Sequence, residues 1–326
     1  MRPLPARLPL LGLLLTLGAA PSAGAQAAPA APACAGQLVR DASGQVCIPR
    51  HPKRIVTIEW TYSENLLALG VQPVGMADIK GFRAYVKTPT PIAASVNDVG
   101  GRGQVSLETV AALKPDLIIN QSGDYSQREA LSKVAPTLVF NPYPATGSLS
   151  AYQEMRQTFA LMGRITGRTA QAAQVLARLD AEQAAARRTL AARGRSGQTF
   201  VLSQGYGGKE PAMRLFGPRS LGSQILEQIG LRNAYRPAGT PDYGFDTLSL
   251  EGLTTLKTQN FFGIAPKDDN VYLAAGNRPV WNNLDFVRQG RGYALDPATW
   301  LFGGPSSAQM LVRQVVEAMT RKPAGT

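Results

Sequence analysis

Apolar and polar residues alternate along this chain in blocks that switch between a period of two and a period near 3.6. Those switches predict the elements. Residues 37–46 read as a β-hairpin turning at Ala42-Ser43-Gly44, and Pro49 and Pro52 break the pattern after it. The run 54–58 (Arg-Ile-Val-Thr-Ile) is a buried strand, 63–70 a helix stopped by Gly70, and 71–77 a second strand. Strand, helix and strand in close succession predict a parallel βαβ unit. A long polar loop is expected over 78–104, then a short helix, a strand over 116–119, a helix over 127–134 and a strand over 137–140. From 148 to 192 the pattern is helical, interrupted at Gly163 and Gly167. It predicts one helix over 149–164 and a longer one over 169–192 with Val175, Leu176 and Leu179 as its buried stripe. Strands at 199–203, 213–218, 270–273 and 293–295 follow, with helices at 223–229, 281–287 and 306–320.

One stretch occurs twice. Ser106-Leu107-Glu108-Thr109-Val110-Ala111-Ala112-Leu113-Lys114-Pro115 and Ser249-Leu250-Glu251-Gly252-Leu253-Thr254-Thr255-Leu256-Lys257-Thr258 share five of ten residues, 143 positions apart. Each reads as a serine-capped helix with an acid in its first turn, feeding a buried strand. Leu226 to Leu231 also echoes Leu66 to Val71, and both echoes precede their copy of the repeat. Two elements recurring in one order predict two similar α/β lobes. A helix of about 24 residues between them would span ~36 Å, enough to join one lobe to the other.

With 326 residues there is room for both lobes. Arg2 and Arg7, the apolar run Leu8 to Leu17 and the small-x-small site Ala23-Gly24-Ala25 read as a secretory signal peptide cleaved before Gln26. The resulting organisation is 1–25 signal peptide, 26–50 tether and hairpin, 51–147 first lobe, 148–196 connecting helices and 197–326 second lobe. Cys34 and Cys47 suit an oxidising compartment. A disulfide between them is the preferred reading; two unpaired thiols, or a lipid on Cys34, are the alternatives. The formal charge of +12 carries no Lys/Arg run and no nucleic-acid module, so no nucleic-acid partner is expected. His51 is the only histidine, and no Gly-x-Ser-x-Gly elbow occurs. A Ser-His-Asp enzyme and a His-based metal site are thereby disfavoured, and neither cofactor nor metal is expected.

Several stretches together carry a resemblance. They are Arg54-Ile55-Val56, residues 67–75 (LALGVQPVG), residues 107–117 (LETVAALKPDL), residues 216–221 (FGPRSL), Pro279-Val280-Trp281 with residues 286–291 (FVRQGR), and residues 299–303 (TWLFG). Over nearly the whole mature chain they resemble the iron–siderophore-binding components of ABC importers, in the branch that includes vitamin B12 receptors. The C-terminal half is most similar to the ferric-hydroxamate binders. The resemblance implies the class III solute-binding fold: two lobes on central sheets, joined by a single long rigid helix, with the ligand in a shallow cleft. It implies a monomeric periplasmic or cell-envelope protein whose partners are a ferric siderophore and a dimeric permease. By position, Arg102 matches the arginine that bonds iron-bound hydroxamate oxygens, a task suited to a forked, permanently charged donor. Tyr125 matches the tyrosine beside it, Tyr243 stands where a tryptophan is usual, and Trp300 matches a second pocket tryptophan. Arg83, Tyr85, Arg214 and Trp60 are further cleft candidates, while Trp281 reads as a core anchor. Glu108 and Glu251 match the surface carboxylates, one per lobe, that dock to the permease. Haem or cobalamin is the alternative cargo, with Tyr62, Tyr85 or Tyr125 as possible axial ligands to haem.

Overall fold

A computed structural model describes residues 34–123, 125–207, 211–239 and 241–321, apart from the side chains of Tyr125 and Ser126. The signal-peptide reading, the tether before Cys34 and the Tyr125 side chain lie outside the described residues. The chain opens with the hairpin Gln37–Asp41/Gly44–Ile48, and Cys34 and Cys47 form a disulfide beside it.

Two sheets follow. The first is wholly parallel, in the order Asn97–Asp98, Gly75–Met76, Ile55–Thr57, Leu117–Gln121, Thr137–Phe140. The second contains the parallel series Arg232–Asn233, Thr199–Tyr206, Asn260–Ile264, Gly292–Leu295. Matched in order, these four strands repeat the last four of the first sheet. The second sheet also has two antiparallel strands, Ala212–Phe216 and Phe245–Leu248, on the far end of Thr199–Tyr206. Duplication thus accounts for the parallel core of each lobe, and the antiparallel pair is what the second lobe adds.

The echoed segments explain the shared turn. After Trp60–Ala68, Gly70 adopts φ +72°, and the Val71 N–H donates to the Leu66 carbonyl (2.8 Å). After Leu221–Gln228, Gly230 adopts φ +88°, and the Leu231 N–H donates to the Leu226 carbonyl (3.3 Å). Both are six-to-one closures around a left-handed glycine, which satisfies carbonyls the helix end leaves open.

The connecting helix runs over Thr169–Ala192, as its spacing predicts. Ala172 and Val175 pack in the first lobe's core, whereas Leu179, Ala186 and Leu190 pack in the second's. The preceding helix Ala151–Ile165 does the same in reverse: Met155 sits in the second core, and Phe159, Met162 and Ile165 sit in the first. The joint is therefore a helical hairpin in which both arms straddle the two cores. The closing helix Pro305–Thr320 packs along it.

Four expectations need correction. The polar loop 78–104 contains a helix, Ile79–Tyr85, capped by Asp78 accepting from the Gly81 N–H and anchored by buried Phe82. A seven-residue helix with one buried apolar position has no readable stripe. Residues 270–273 form a turn rather than a strand, because the Asn270 side chain accepts from the Tyr272 N–H and the Asn277 side chain donates to the Val271 carbonyl. The helix expected over 281–287 is split into Arg278–Asn283 and Asp285–Arg288 by extended Leu284. Finally, Ser106 caps its helix by accepting from the Thr109 N–H, but Ser249 makes no such bond, and the second copy is the 3₁₀ helix Leu250–Thr255. Gly252, in the place of Thr109, weakens helix formation there.

Candidate functional site

The site is built on the first turn of Trp60–Ala68. Glu59 caps that helix, and its carboxylate accepts from the Trp60 N–H (3.0 Å). The same oxygen accepts from Arg102 Nη1 (2.9 Å). Arg102 comes from a tight hairpin whose short arms are Gly100–Gly101 and Gln104–Val105. Gly100 at φ +103° permits the turn. The pairing holds the guanidinium over Trp60, 3.8 Å from the ring centroid. Burial raises the Glu59 pKa, while the Arg102 charge and hydrogen bond and the Trp60 N–H oppose the rise. The Arg102 side chain remains 34% exposed. Among the described residues one of its five donors is held, by Glu59, which leaves the rest of the fork for an acceptor in the cleft.

The second lobe supplies a comparable arrangement. Arg214, on Ala212–Phe216, lies 5.0 Å from the Tyr206 ring and 4.7 Å from the Phe245 ring. Tyr243 is 53% exposed, stacks on Phe245 (6.0 Å, 21°) and meets Tyr143 of the other side edge-on (4.9 Å, 86°). Gly244 (φ +75°) makes this possible. A Cβ there would lie 2.8 Å from the Ser220 Cα, so only glycine lets the Tyr243 turn approach the helix start.

The two halves face one space. Burial raises the Tyr143 hydroxyl pKa, Glu59 and Tyr243 add to the rise, and Arg102 and Arg214 both oppose it. Tyr206 is likewise raised by burial and feels Arg214, Tyr85 and Arg102. Groups from both lobes thus act on the same two phenols. Beneath them Trp60 packs against Trp300 (5.0 Å) and Tyr85 (6.0 Å, 22°), and Phe302 joins Trp300 to Tyr143.

Of the residues singled out in the sequence, the structure groups Arg102, Trp60, Tyr85, Trp300, Arg214 and Tyr243. Trp300, 9% exposed, is wall rather than open face. Arg83 is not brought into the group: it is exposed in the last turn of Ile79–Tyr85, and no described bond or ring contact ties it to the cluster. Tyr125 begins the helix Tyr125–Ser132. Sequence reasoning missed Glu59, Tyr143, Tyr206, Phe245 and Phe302. An acid directly before Trp60, at the end of the strand read over 54–58, was the one available signal. Trp281 packs against Phe261, Tyr272 and Phe286, inside the second lobe. Among the described residues no group of three or more His, Cys, Asp or Glu side chains is placed to hold a metal ion.

Away from the cleft, Glu108 and Glu251 are exposed in the first turns of the two repeat helices. The Glu251 pKa is lowered by its own backbone N–H and by the Ser249 hydroxyl.

The periplasmic binding protein family matches this chain over residues 55–299. The chain belongs to that family. It is 30% identical over 278 residues to the iron(3+)-hydroxamate-binding protein FhuD of Escherichia coli, covering 83% of this chain and 88% of that one. It is 26% identical to the Fe(3+) dicitrate-binding periplasmic protein FecB of the same organism, over 87% of this chain and 91% of the other. Among solved structures, the Fe3+–Desferal-bound siderophore-binding protein FhuD of Vibrio cholerae superposes with a TM-score of 0.73 at 25% identity, over 82% of this chain and 97% of that one. The two-lobed fold of this periplasmic binding protein is the one these relatives share.

Proposed function

We propose that the protein captures a ferric siderophore, of hydroxamate type, in the cleft between its lobes and delivers it to an ABC permease. One observation carries the reading: Glu59 fixes the Arg102 guanidinium on Trp60 with most of its donors unspent, opposite Arg214 on the other lobe. A ferric trihydroxamate presents clustered, electron-rich oxygens on an apolar frame. Forked cations suit the oxygens, and the aromatic faces suit the frame. Similarity to proteins that bind iron(3+)-hydroxamate and Fe3+–Desferal supports the same cargo. Binding rather than catalysis is the role, and the signal-peptide pattern places it in the periplasm or cell envelope. Glu108 and Glu251, one per lobe, are the contacts for a two-fold permease, and a single chain suffices for this task.

The test is isothermal titration with ferric trihydroxamates, ferric citrate, hemin and cobalamin. Tightest binding of a ferric trihydroxamate supports the reading, and preference for hemin or cobalamin replaces it with the alternative cargo.

A further inference from the structure

Behind the aromatic wall lies a second space. A cavity of about 320 Å3 extends between the helix Ala151–Ile165, the loop 142–150, the helix Trp60–Ala68 and the Tyr243 turn. Tyr143, Tyr243 and Phe302 line it and also belong to the cleft cluster, so the two spaces share a wall.

Its polar lining carries two carboxyls against one guanidinium. Glu154 lines the cavity, and the only described hydrogen bond to its carboxyl comes from the Thr158 hydroxyl (2.5 Å). Asn65 also lines it, and the buried Asn65 Oδ1 has no donor among the described residues. Tyr62, 1% exposed, lies within electrostatic reach of Glu154, and its buried hydroxyl has no partner among the described residues. The Glu154 carboxyl and the Asn65 Oδ1 can accept further hydrogen bonds, and the Tyr62 hydroxyl can accept or donate one. Of the other charged groups on the lining, Asp242 adds a second carboxyl, and Arg219, which donates to the Pro144 carbonyl (2.8 Å), adds one guanidinium. Apolar sides come from Met155, Leu149 and Leu221. A cavity with apolar sides and a carboxyl excess, holding one buried carboxyl, fits an alkyl chain tipped with an ammonium group.

We propose that this cavity is a subsite for a cationic alkylammonium arm of the siderophore, with Glu154 as its counter-ion, while the iron centre rests on Arg102 and Arg214. The inference rests on the siderophore reading and narrows it to complexes carrying a free primary amine on a flexible chain. Burial holds the Glu154 carboxyl near pH 7, against the Thr158 hydrogen bond. Docking the ammonium ionises it and releases a proton. Affinity for the amine-bearing complex therefore rises as pH increases to about 7 and levels off above it. The facing phenols Tyr62 and Tyr143 are raised by burial and stay protonated there.

The test compares ferrioxamine B, a linear ferric trihydroxamate ending in a primary ammonium, with its N-acetylated form, which keeps the iron centre and loses the charge. At pH 8 we expect the free amine to bind at least tenfold more tightly, with the ratio shrinking at pH 5.5. In Glu154→Gln we expect the ratio to fall to about one. Equal affinities of the wild type for the two complexes, or tighter binding of the acetylated one, overturn the subsite and leave siderophore capture standing. Failure of both complexes to bind removes the capture reading and the subsite with it. The ligand pair keeps the test decisive even if the variant does not fold.

Discussion

Glu64 joins the lobes at the point where they meet beside the cleft, and its removal should be felt by the whole protein. The residue sits on Trp60–Ala68 in the first lobe and is fully buried. Its carboxylate accepts from the Ser307 N–H (2.8 Å) and the Ser307 hydroxyl (2.6 Å), 243 residues away at the start of the closing helix. Backbone N–H groups of Gly304 and Ser306 contribute as well. The carboxylate thus caps a helix of the opposite lobe, where unpaired N–H groups and the helix dipole both favour an anion. A Cβ at Gly303 would collide with the carboxylate, so the glycine leaves room for the contact. Glu64→Ala strips these donors of their acceptor in a buried place. Hydrogen bonds to a charged group are worth about 1.5–3 kcal/mol each, and burying the carboxylate offsets part of that gain. Deletion should cost roughly 3–5 kcal/mol, the range for breaking a buried charged contact. In a chain of this size that lowers Tm by roughly 5–8 °C. Burial raises the Glu64 pKa. The native state therefore holds that proton more tightly than the unfolded chain. The residue's contribution is largest in acid and declines as pH rises above its ordinary value of 4.5. Thermal unfolding followed by circular dichroism at pH 5 and pH 8 measures both effects. A Tm loss below about 2 °C at both values would refute the claim that Glu64 rivets the lobes.

Three further outcomes are expected. Arg102→Ala removes the forked donor and should weaken ferric-hydroxamate binding on the order of 100-fold, about 3 kcal/mol, with Arg102→Lys intermediate; a change under threefold by calorimetry takes Arg102 out of the site. Burial raises the Glu154 pKa from 4.5 to about 7, so its stabilising share is complete below pH 4.5 and is lost as pH rises through about 7. That amounts to about 3 kcal/mol. Glu154→Gln should flatten the dependence of Tm on pH between 5 and 8, and parallel curves for variant and wild type would contradict it. Glu108→Ala combined with Glu251→Ala should abolish siderophore-dependent iron uptake by cells while ligand affinity in solution is retained; normal uptake removes the two carboxylates from the docking role.

Much of the architecture was legible because local chemistry carries it. Gly70 and Gly230 stop their helices by backbone conformation alone, and the repeated Ser-Leu-Glu segments mark the strand beside the centre of each parallel core. The connecting helix is long and flanked by the left-handed glycines Gly167 and Gly194, so its bounds could be read directly. The start of the helix at Trp60 was hidden for the opposite reason: all nine residues of Trp60–Ala68 are buried, which erases the alternation of apolar and polar faces. The site is more distributed. Arg102 is recognisable by its place before the repeat, but Glu59, which orients it, lies 43 residues away. Tyr143 and Tyr206 look like a strand stop and a loop tyrosine until the lobes face each other. Contacts between lobes leave no period in the sequence, and Glu64 gave no sign of its partner.

Capture of a ferric siderophore at the inter-lobe cleft is tested most directly by titrating intrinsic tryptophan fluorescence with a ferric trihydroxamate and its iron-free form. Two of the three tryptophans, Trp60 and Trp300, pack together beneath Arg102. The account predicts saturable quenching by the ferric complex with Kd below about 1 μM, and much weaker binding of the iron-free ligand. No saturable quenching up to about 10 μM ferric complex, or equal affinity with and without iron, would contradict it.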